Sequence, residues 1–271
     1  MLVLIRGAGD LASGIALRLR HSGFSVVMTE LAHPTTIRRT VAFSDAVIKG
    51  FARVEDVEAR LAPDAETALA LLGEGILPVL VDPEAACRER LRPDALVDAI
   101  LAKRNLGTAI TDAPIVVGVG PGFTAGEDCH AVVETMRGHT LGRVYYEGGT
   151  LPNTAVPGLI GGFTGERVLR APADGVFTGA LQIGDTVEAG EIAGWVDGVP
   201  MRCTICGVLR GLLQDGVPVK KGLKAGDVDP RGRPEYCLTA SDKALAVGGG
   251  VLEAILHLSS EHTEKTAIRR P

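Results

Sequence analysis

The sequence predicts a doubly wound α/β domain followed by a small all-β module, on three observations. A β-rich run, Leu2 to Arg6, passes straight into the glycine turn Gly7-Ala-Gly9-Asp10 and from there into a helical pattern. Strand-like and helix-like stretches then alternate through the first half of the chain. Beyond residue 170 the texture changes to short β segments punctuated by glycines. A shift of 32 residues there superposes Gly175, Val176, Gly179, Leu181, Gln182, Gly184, Val187, Gly190, Ala193 and Gly194 on identical residues, which marks a duplication.

Taken in order, Leu11, Ile15 and Leu19 recur at helical spacing with Ala12 and Ala16 beside them, leaving Arg18 and Arg20 on the other face. The next strand, 25–29, ends at Glu30, twenty-one residues after Gly9. A Rossmann-like dinucleotide fold places its ribose-binding acid at about that distance. In such a fold Gly7 permits the tight turn, Gly9 admits a phosphate, Ala12 stands in for the third glycine, and the helix N-terminus offers free N–H groups. The same glycines also suit a helix packed closely on a strand. Asp10 beside an anion site repels phosphate unless it faces a hydroxyl, an amine or a metal. Arg38 and Arg39, behind the second strand, suit a 2′-phosphate or a second anionic group, and equally a solvated basic turn.

Residues 46–49 read as a strand, 54–62 and 64–72 as helices, 76–81 as a buried parallel strand and 84–91 as a further helix. The strand-like run 115–119 leads into a second glycine loop, Gly120-Pro-Gly122-Phe. At the carboxyl ends of neighbouring strands, the two glycine loops would form the lips of one crevice. A helix beginning near 128 would put His130 and Glu134 on one face with Asp128 at its end. That cluster suits general acid/base work or ligand orientation, and also an N-cap with an ordinary surface pair. No third histidine has helpful spacing, so no metal site is assigned.

In the β module, Ala171-Pro-x-x-Gly175 with Gly184-Asp-x-Val187-x-x-Gly190 resembles the lipoyl/biotinyl-type barrel-sandwich hybrid, itself built from two related halves. The linking stretch 195–206 contains no lysine, so no lipoyl or biotin attachment is expected. Cys203 and Cys206 lie there, spaced for a metal, a cycling disulfide or sulfur or selenium transfer, and equally for small apolar filling. Gly248, Gly249 and Gly250 stand ahead of a helical run and read as a connector or an anion nest. The expected boundaries are 1–165 for the nucleotide- or cofactor-binding domain, 166–238 for the duplicated module, 239–258 for a helical segment and 259–271 for a flexible tail.

Composition narrows the function. The 271 residues are 46% hydrophobic, enough for a core in each domain, and 35 are glycine, suiting tight turns and close approaches to ligands. Aromatics at 4% and a net charge of −5 disfavour nucleic acid as a partner. No apolar run is long enough to span a bilayer or form a signal h-region, so the expectation is a cytoplasmic protein with no membrane partner. Five scattered cysteines read as reduced thiols.

Several motifs occur in order: Arg6-Gly-Ala-Gly-Asp-Leu-Ala-Ser-Gly14, Thr29-Glu-Leu31 with Ile37-Arg-Arg39, Gly120-Pro-Gly-Phe123, Asp128-x-His130-x-x-x-Glu134-Thr135, Arg137-Gly-His139, Asp227-x-Asp229-Pro-Arg231 and Ser241-Asp-Lys243. Together they make the chain resemble the YqeB-type accessory proteins of selenium-dependent molybdenum hydroxylases, and its first half is distantly similar to XdhC-type maturation factors. The resemblance implies a maturation role with a molybdenum hydroxylase apoenzyme as partner and the molybdenum cofactor (a pterin) or its dinucleotide as phosphorylated ligand. In that reading Gly7, Gly9, Gly120 and Gly122 cradle phosphate, Glu30 meets a hydroxyl, Arg38 and Arg39 hold further anionic groups, and His130 and Glu134 orient or protonate the ligand. An NAD(P)-dependent oxidoreductase is the alternative enzyme, though no Tyr-x-x-x-Lys pair supports it. A non-catalytic docking scaffold is the third reading, and assembly into a homo-oligomer stays open.

Overall fold

The computed structural model describes residues 1–268, with side chains through residue 260. Its first unit is built on a nine-stranded sheet: β1 (Leu2–Arg6), β2 (Ser25–Glu30), β3 (Phe51–Val54), β4 (Val57–Ala62), β5 (Leu77–Val81), β6 (Ala95–Asp98), β7 (Ile115–Val119), β8 (Ala131–Val133) and β9 (Val144–Tyr145). The spatial order is β3-β4-β5-β2-β1-β6-β7-β8-β9. Pairs from β4 to β8 are parallel, and antiparallel β3 and β9 close the edges. Order reverses at β1, which has β2 on one side and β6 on the other, so a crevice opens at the carboxyl ends of these strands. The helices are α1 (Asp10–His21), α2 (Asp45–Lys49), α3 (Ala65–Gly73), α4 (Arg88–Leu91) and α5 (Asp242–Ile268).

The last helix returns the chain to the first unit and lies on α1 and the β7–β9 end of the sheet. Its glycines make that possible. A Cβ on Gly248 would stand 2.8 Å from Gly14 O, one on Gly250 2.2 Å from Gly142 O, and one on Gly14 2.5 Å from the Ala244 side chain. Val247, Val251, Ala254 and Ile255 are thereby fully buried in the core that also holds Ile15 and Leu19 of α1. Gly248–Gly250 are thus helix interior, in place of the connector or nest expected for them. The helix also runs to Ile268, into the segment expected as a tail; residues 269–271 of that tail lie outside the described residues.

Four other expectations are corrected. Residues 46–49 belong to α2, where Lys49 pairs with Asp45 at 2.6 Å across one turn and Gly50, at φ +80°, ends the helix. Residues 54–62 form the turn and second strand of a hairpin. There the period-2 alternation of Val57 and Ala59 inward with Glu58 and Arg60 outward prevails, around a turn that Glu55 enters at φ +54°. The helix of 84–91 shortens to α4, because Asp82 caps the preceding turn through the N–H groups of Ala86 and Cys87. The helix from 128 is absent: β-branched Val132 and Val133 join Ala131 as a strand parallel to β7.

The second unit comprises β10 (Val168–Arg170), β11 (Gly175–Gly179), β12 (Thr186–Val187), β13 (Ile192–Val196), β14 (Val199–Arg202), β15 (Gly207–Leu212), β16 (Pro218–Val219) and β17 (Lys224–Asp229). They form two antiparallel four-stranded sheets, β10-β17-β15-β12 and β14-β13-β11-β16. The 32-residue shift maps β11, β12 and β13 onto β15, β16 and β17, and brings β10 to β14. Each sheet therefore borrows one short strand from the other copy: β12 pairs with β15, and β16 with β11. Phe177, Leu209, Val187 and Val219 fill the space between them.

The two units are joined by the segment after β2. Ile37 leaves the first unit to pack in the core of the second, its carbonyl accepting from Leu212 N at 2.8 Å. Arg39 Nε donates to Leu212 O at 2.8 Å and its Nη1 to Gln214 at 2.8 Å. Thr40 Oγ1 donates to Cys237 O.

Two alanine substitutions on α5 test this packing. Gly250→Ala should lower the unfolding free energy by about 1–3 kcal/mol through overpacking. Gly249→Ala meets open space and should stabilise by up to about 1 kcal/mol. Urea denaturation followed by circular dichroism distinguishes them, and equal effects at the two positions would contradict the packing described.

Candidate functional site

The carboxyl ends of β1, β2 and β6 surround a cavity of about 610 Å³, bordered by Gly7, Gly9, Glu30, Arg38 and the start of α1. Gly7, at φ +102°, makes the turn, and a Cβ there would press on the Ala99 and Ile100 backbone at 3.1 Å. The first intrahelical bond of α1 is Ser13 N to Gly9 O, so the amides of Asp10, Leu11 and Ala12 have no partner inside the helix. Glu30 accepts from Ala8 N at 3.0 Å and Leu31 N at 2.8 Å, clamping the glycine turn against the end of β2. Burial raises its carboxyl above the usual range, while those two N–H groups oppose the rise. Behind it, buried Arg6 is held by Pro83 O, Asp98 and Thr108.

A second cavity, of about 370 Å³, lies where the first unit meets the second, and Asp10, Leu11, Arg38, Leu101 and Lys224 border both. Its walls include Glu134, Arg137, Lys243 and the loop around Asn153 from the first-unit side, and Arg167, Arg210 and Asp227 from the second. Arg38, buried, donates to Asp10 at 3.3 Å and to Tyr236 O at 3.1 Å, while its Nε is left without a partner. Thr29 Oγ1, on the border of the larger cavity, is likewise buried and unpartnered. Asp227 is gripped by Arg167 and by Arg210, and Asp229 by Arg210 at 3.0 Å and Arg231 at 2.7 Å. Burial alone would raise Asp229, but the Arg231 side chain and backbone, with Arg210, hold it below the usual carboxylate range. Arg231 lies over the Tyr236 ring at 4.4 Å.

The residues expected from sequence separate into two groups. Gly7, Gly9, Asp10, Glu30 and Arg38 converge on the larger cavity. Arg39 does not, because Leu212 and Gln214 take its guanidinium into the junction between units. Gly120 and Gly122 border neither cavity. Gly120 N donates to Val133 O and a Cβ on Gly122 would stand 2.5 Å from the Arg104 backbone, so both glycines serve close packing, while Pro121 between them borders the smaller cavity. His130 and Glu134 flank a strand instead of sharing a helix face. His130 Nδ1 accepts from Val116 N at 2.9 Å, and Asp128 accepts from Asn105 and Thr124 N. Glu134, fully buried, borders the smaller cavity but accepts from the N–H groups of Thr135, Met136 and Leu151, so it anchors the loop that follows.

Of the cysteine pair, Cys203 is buried in the second core, its thiol pushed up to about 11 by burial, and Cys206 is exposed. A thiol held that high is a poor nucleophile. Among the described residues no group of three or more His, Cys, Asp or Glu side chains is arranged to hold a metal ion, and no helix is long and apolar enough to cross a membrane.

The sequence analysis missed Arg167, Arg210, Lys224, Asp227 and Lys243 as site residues. A signal was present in the repeat. Arg210, Lys224 and Asp227 occupy the positions that Thr178, Ile192 and Trp195 hold in the other copy.

Compared with known proteins, the chain matches no family model. Over 265 residues, 98% of the chain, it is 51% identical to uncharacterized protein YqeB of Escherichia coli strain K12, and it spans about half of that relative's length, 49%. Among solved structures it is similar to an aspartoacylase family protein from Mesorhizobium loti, with 13% identity, 74% of this chain and 83% of that one covered, and a TM-score of 0.26. A succinylglutamate desuccinylase/aspartoacylase from Rhodobacter sphaeroides follows, with 13% identity, 83% and 86% covered, and a TM-score of 0.23. At these scores neither likeness bears on fold or function.

Two outcomes test the electrostatics. Asp227→Ala should destabilise the chain by about 3–5 kcal/mol, since it leaves buried Arg167 without a carboxylate and Arg210 with Asp229 alone, and denaturant titration reads the loss directly. Asp242, at the start of α5, is held at about 2, chiefly by hydrogen bonding to Arg137. Its folded value is depressed, so the pair's small stabilisation is present above the ordinary carboxylate range and lost as pH falls toward 2. Carboxyl NMR titration should find that midpoint in the native chain and a return toward 3.8 in Arg137→Ala.

Proposed function

The chain belongs to the YqeB family, and we propose that it binds a phosphorylated small molecule, of the nucleotide or pterin-nucleotide kind, in the crevice at the ends of β1, β2 and β6. We read the first unit as a Rossmann-like domain and the second as a barrel-sandwich hybrid that covers one side of its crevice. The observation that carries this reading is the convergence of Gly7, Gly9, the unpaired first-turn amides of α1 and buried Arg38 on one cavity. The unpartnered Arg38 Nε and Thr29 Oγ1 are a donor and a hydroxyl of the kind a phosphorylated, hydroxyl-bearing ligand engages.

Within this crevice the roles follow from chemistry. The α1 amides and Gly9 meet phosphate oxygens, and Gly9 needs to stay bare because a side chain there would project toward Thr36 and the ligand. Glu30, already bonded to Ala8 and Leu31, accepts from a ligand hydroxyl. Arg38 supplies a fixed positive charge, and Asp10, paired to it, is kept from repelling the anion. The second unit excludes water from one side. The resemblance to accessory proteins of molybdenum hydroxylases makes the molybdenum cofactor or its dinucleotide the ligand we name, held as cargo for an apoenzyme partner. The chain's residues then bind and orient it, and no covalent step is assigned to them.

Small-molecule mass spectrometry of chain purified anaerobically from a molybdenum-replete host tests the reading. A pterin or pterin dinucleotide at near-stoichiometric level is the expected result, and a nicotinamide dinucleotide would replace the proposal with an oxidoreductase. Gly9→Val should keep the melting temperature, because Gly9 sits at φ −68°, ψ −178°, a backbone valine adopts readily. It should cost about tenfold or more in ligand affinity by occupying the phosphate position. An unchanged affinity in that variant would remove the crevice from consideration.

A further inference from the structure

We infer that the smaller cavity is a second ligand site, built for a dianionic phosphate group and held chiefly by Lys224 and Lys243. This goes beyond the crevice proposal and stands if that proposal fails, because Lys243 borders only the smaller cavity and Gly9 only the larger.

Seven cationic side chains border this cavity against three carboxylates, in a chain whose net charge is −5. Most of those cations are satisfied internally. Arg167 and Arg210 are matched by Asp227 and Asp229, Arg38 by Asp10, and Arg137 by Asp242. The third carboxylate, Glu134, is committed to three backbone N–H groups. Among the described residues, the other three cations, exposed Lys103 and Lys224 and half-buried Lys243, have no carboxylate within 4.0 Å. Two neighbouring ammonium groups facing one partly enclosed space repel each other, and an entering dianion removes that repulsion.

Three further observations point the same way. Arg38, about nine-tenths buried at 7% exposure, has an unpartnered Nε and borders this cavity too. Desolvation makes both lysines more acidic than usual; Asp227 and Asp10 oppose this at Lys224, where Arg167 and Arg210 add to it, and Asp10 and Glu134 oppose it at Lys243, where Arg137 and Lys224 add to it. Finally, the two copies differ in charge at the positions that border the cavity. Arg210 and Lys224 face the first unit, whereas the equivalent Thr178 and Ile192 carry none. The cavity's 370 Å³ admits a phosphate with a short substituent, so free phosphate and the phosphoryl end of a small ester share the chemistry.

Isothermal titration calorimetry of the full chain with sodium phosphate, at constant ionic strength and neutral pH, tests the inference. Saturable binding of one phosphate per chain is expected. Lys243→Ala and Lys224→Ala should each weaken it by about tenfold or more, and Lys243→Arg should restore most of it. Binding should also weaken as pH rises, from a lower pH than free lysine would give. Gly9→Val should leave phosphate binding in place, which separates this site from the crevice. Glycerol phosphate binding more tightly than phosphate would make an ester the source, and weaker binding would make it the free ion. No saturation by about 10 mM, or Lys243→Ala binding as tightly as the unaltered chain with the same melting temperature, overturns the inference.

Discussion

The docking of Ile37–Thr40 against the second unit is the constraint on which the rest depends. One apolar side chain crosses from the sheet domain into the core of the β module, worth about 1.5–3 kcal/mol of burial. The hydrogen bonds of Ile37, Arg38, Arg39 and Thr40 fix the orientation. The side-chain donors of Arg38, Arg39 and Thr40 reach Asp10, Gln214 and the carbonyls of Leu212, Tyr236 and Cys237, and Arg38 Nε alone among them is buried without a partner. Without that register, Arg210 and Lys224 would lie on an open surface and the crevice would lose one wall.

The junction also concentrates charge in a chain that is acidic overall. The low-dielectric walls of the two units strengthen the field of Arg38, Lys224 and Lys243 at the smaller cavity, in a chain whose net charge is −5. The buried Arg167–Asp227–Arg210–Asp229 chain contributes rigidity more than net stability, because desolvating four ions offsets much of their attraction.

Local signals made much of this legible. The strand, glycine turn, helix and acid from Leu2 to Glu30 are contiguous, each fixed by its neighbours, and the 32-residue period identified the duplicated module. What failed was local pattern without context. The stretch 54–62 suits either period until the two-residue turn at Glu55 is known, and 128–134 reads as a helix until its pairing with β7 is seen. The second cavity was illegible for a different reason: its residues come from positions 10, 38, 134, 167, 210, 224 and 243, brought together only by the docked segment. Arg39 shows the converse. Adjacent to Arg38 in sequence and similar in chemistry, it points to the other side of the same backbone and serves assembly.

The exchange of short strands between the two copies of the repeat bears on how such a module arises. A lone copy would leave its longest strand with an unpaired edge and its short strand with nothing to join, which is the situation that a swapped homodimer resolves. Fusion of two such protomers keeps every pairing and removes the need for symmetry. Once the copies are tethered, each is free to diverge. The present chain has used that freedom to place Arg210, Lys224 and Asp227 on the junction face of one former subunit, where its twin carries Thr178, Ile192 and Trp195.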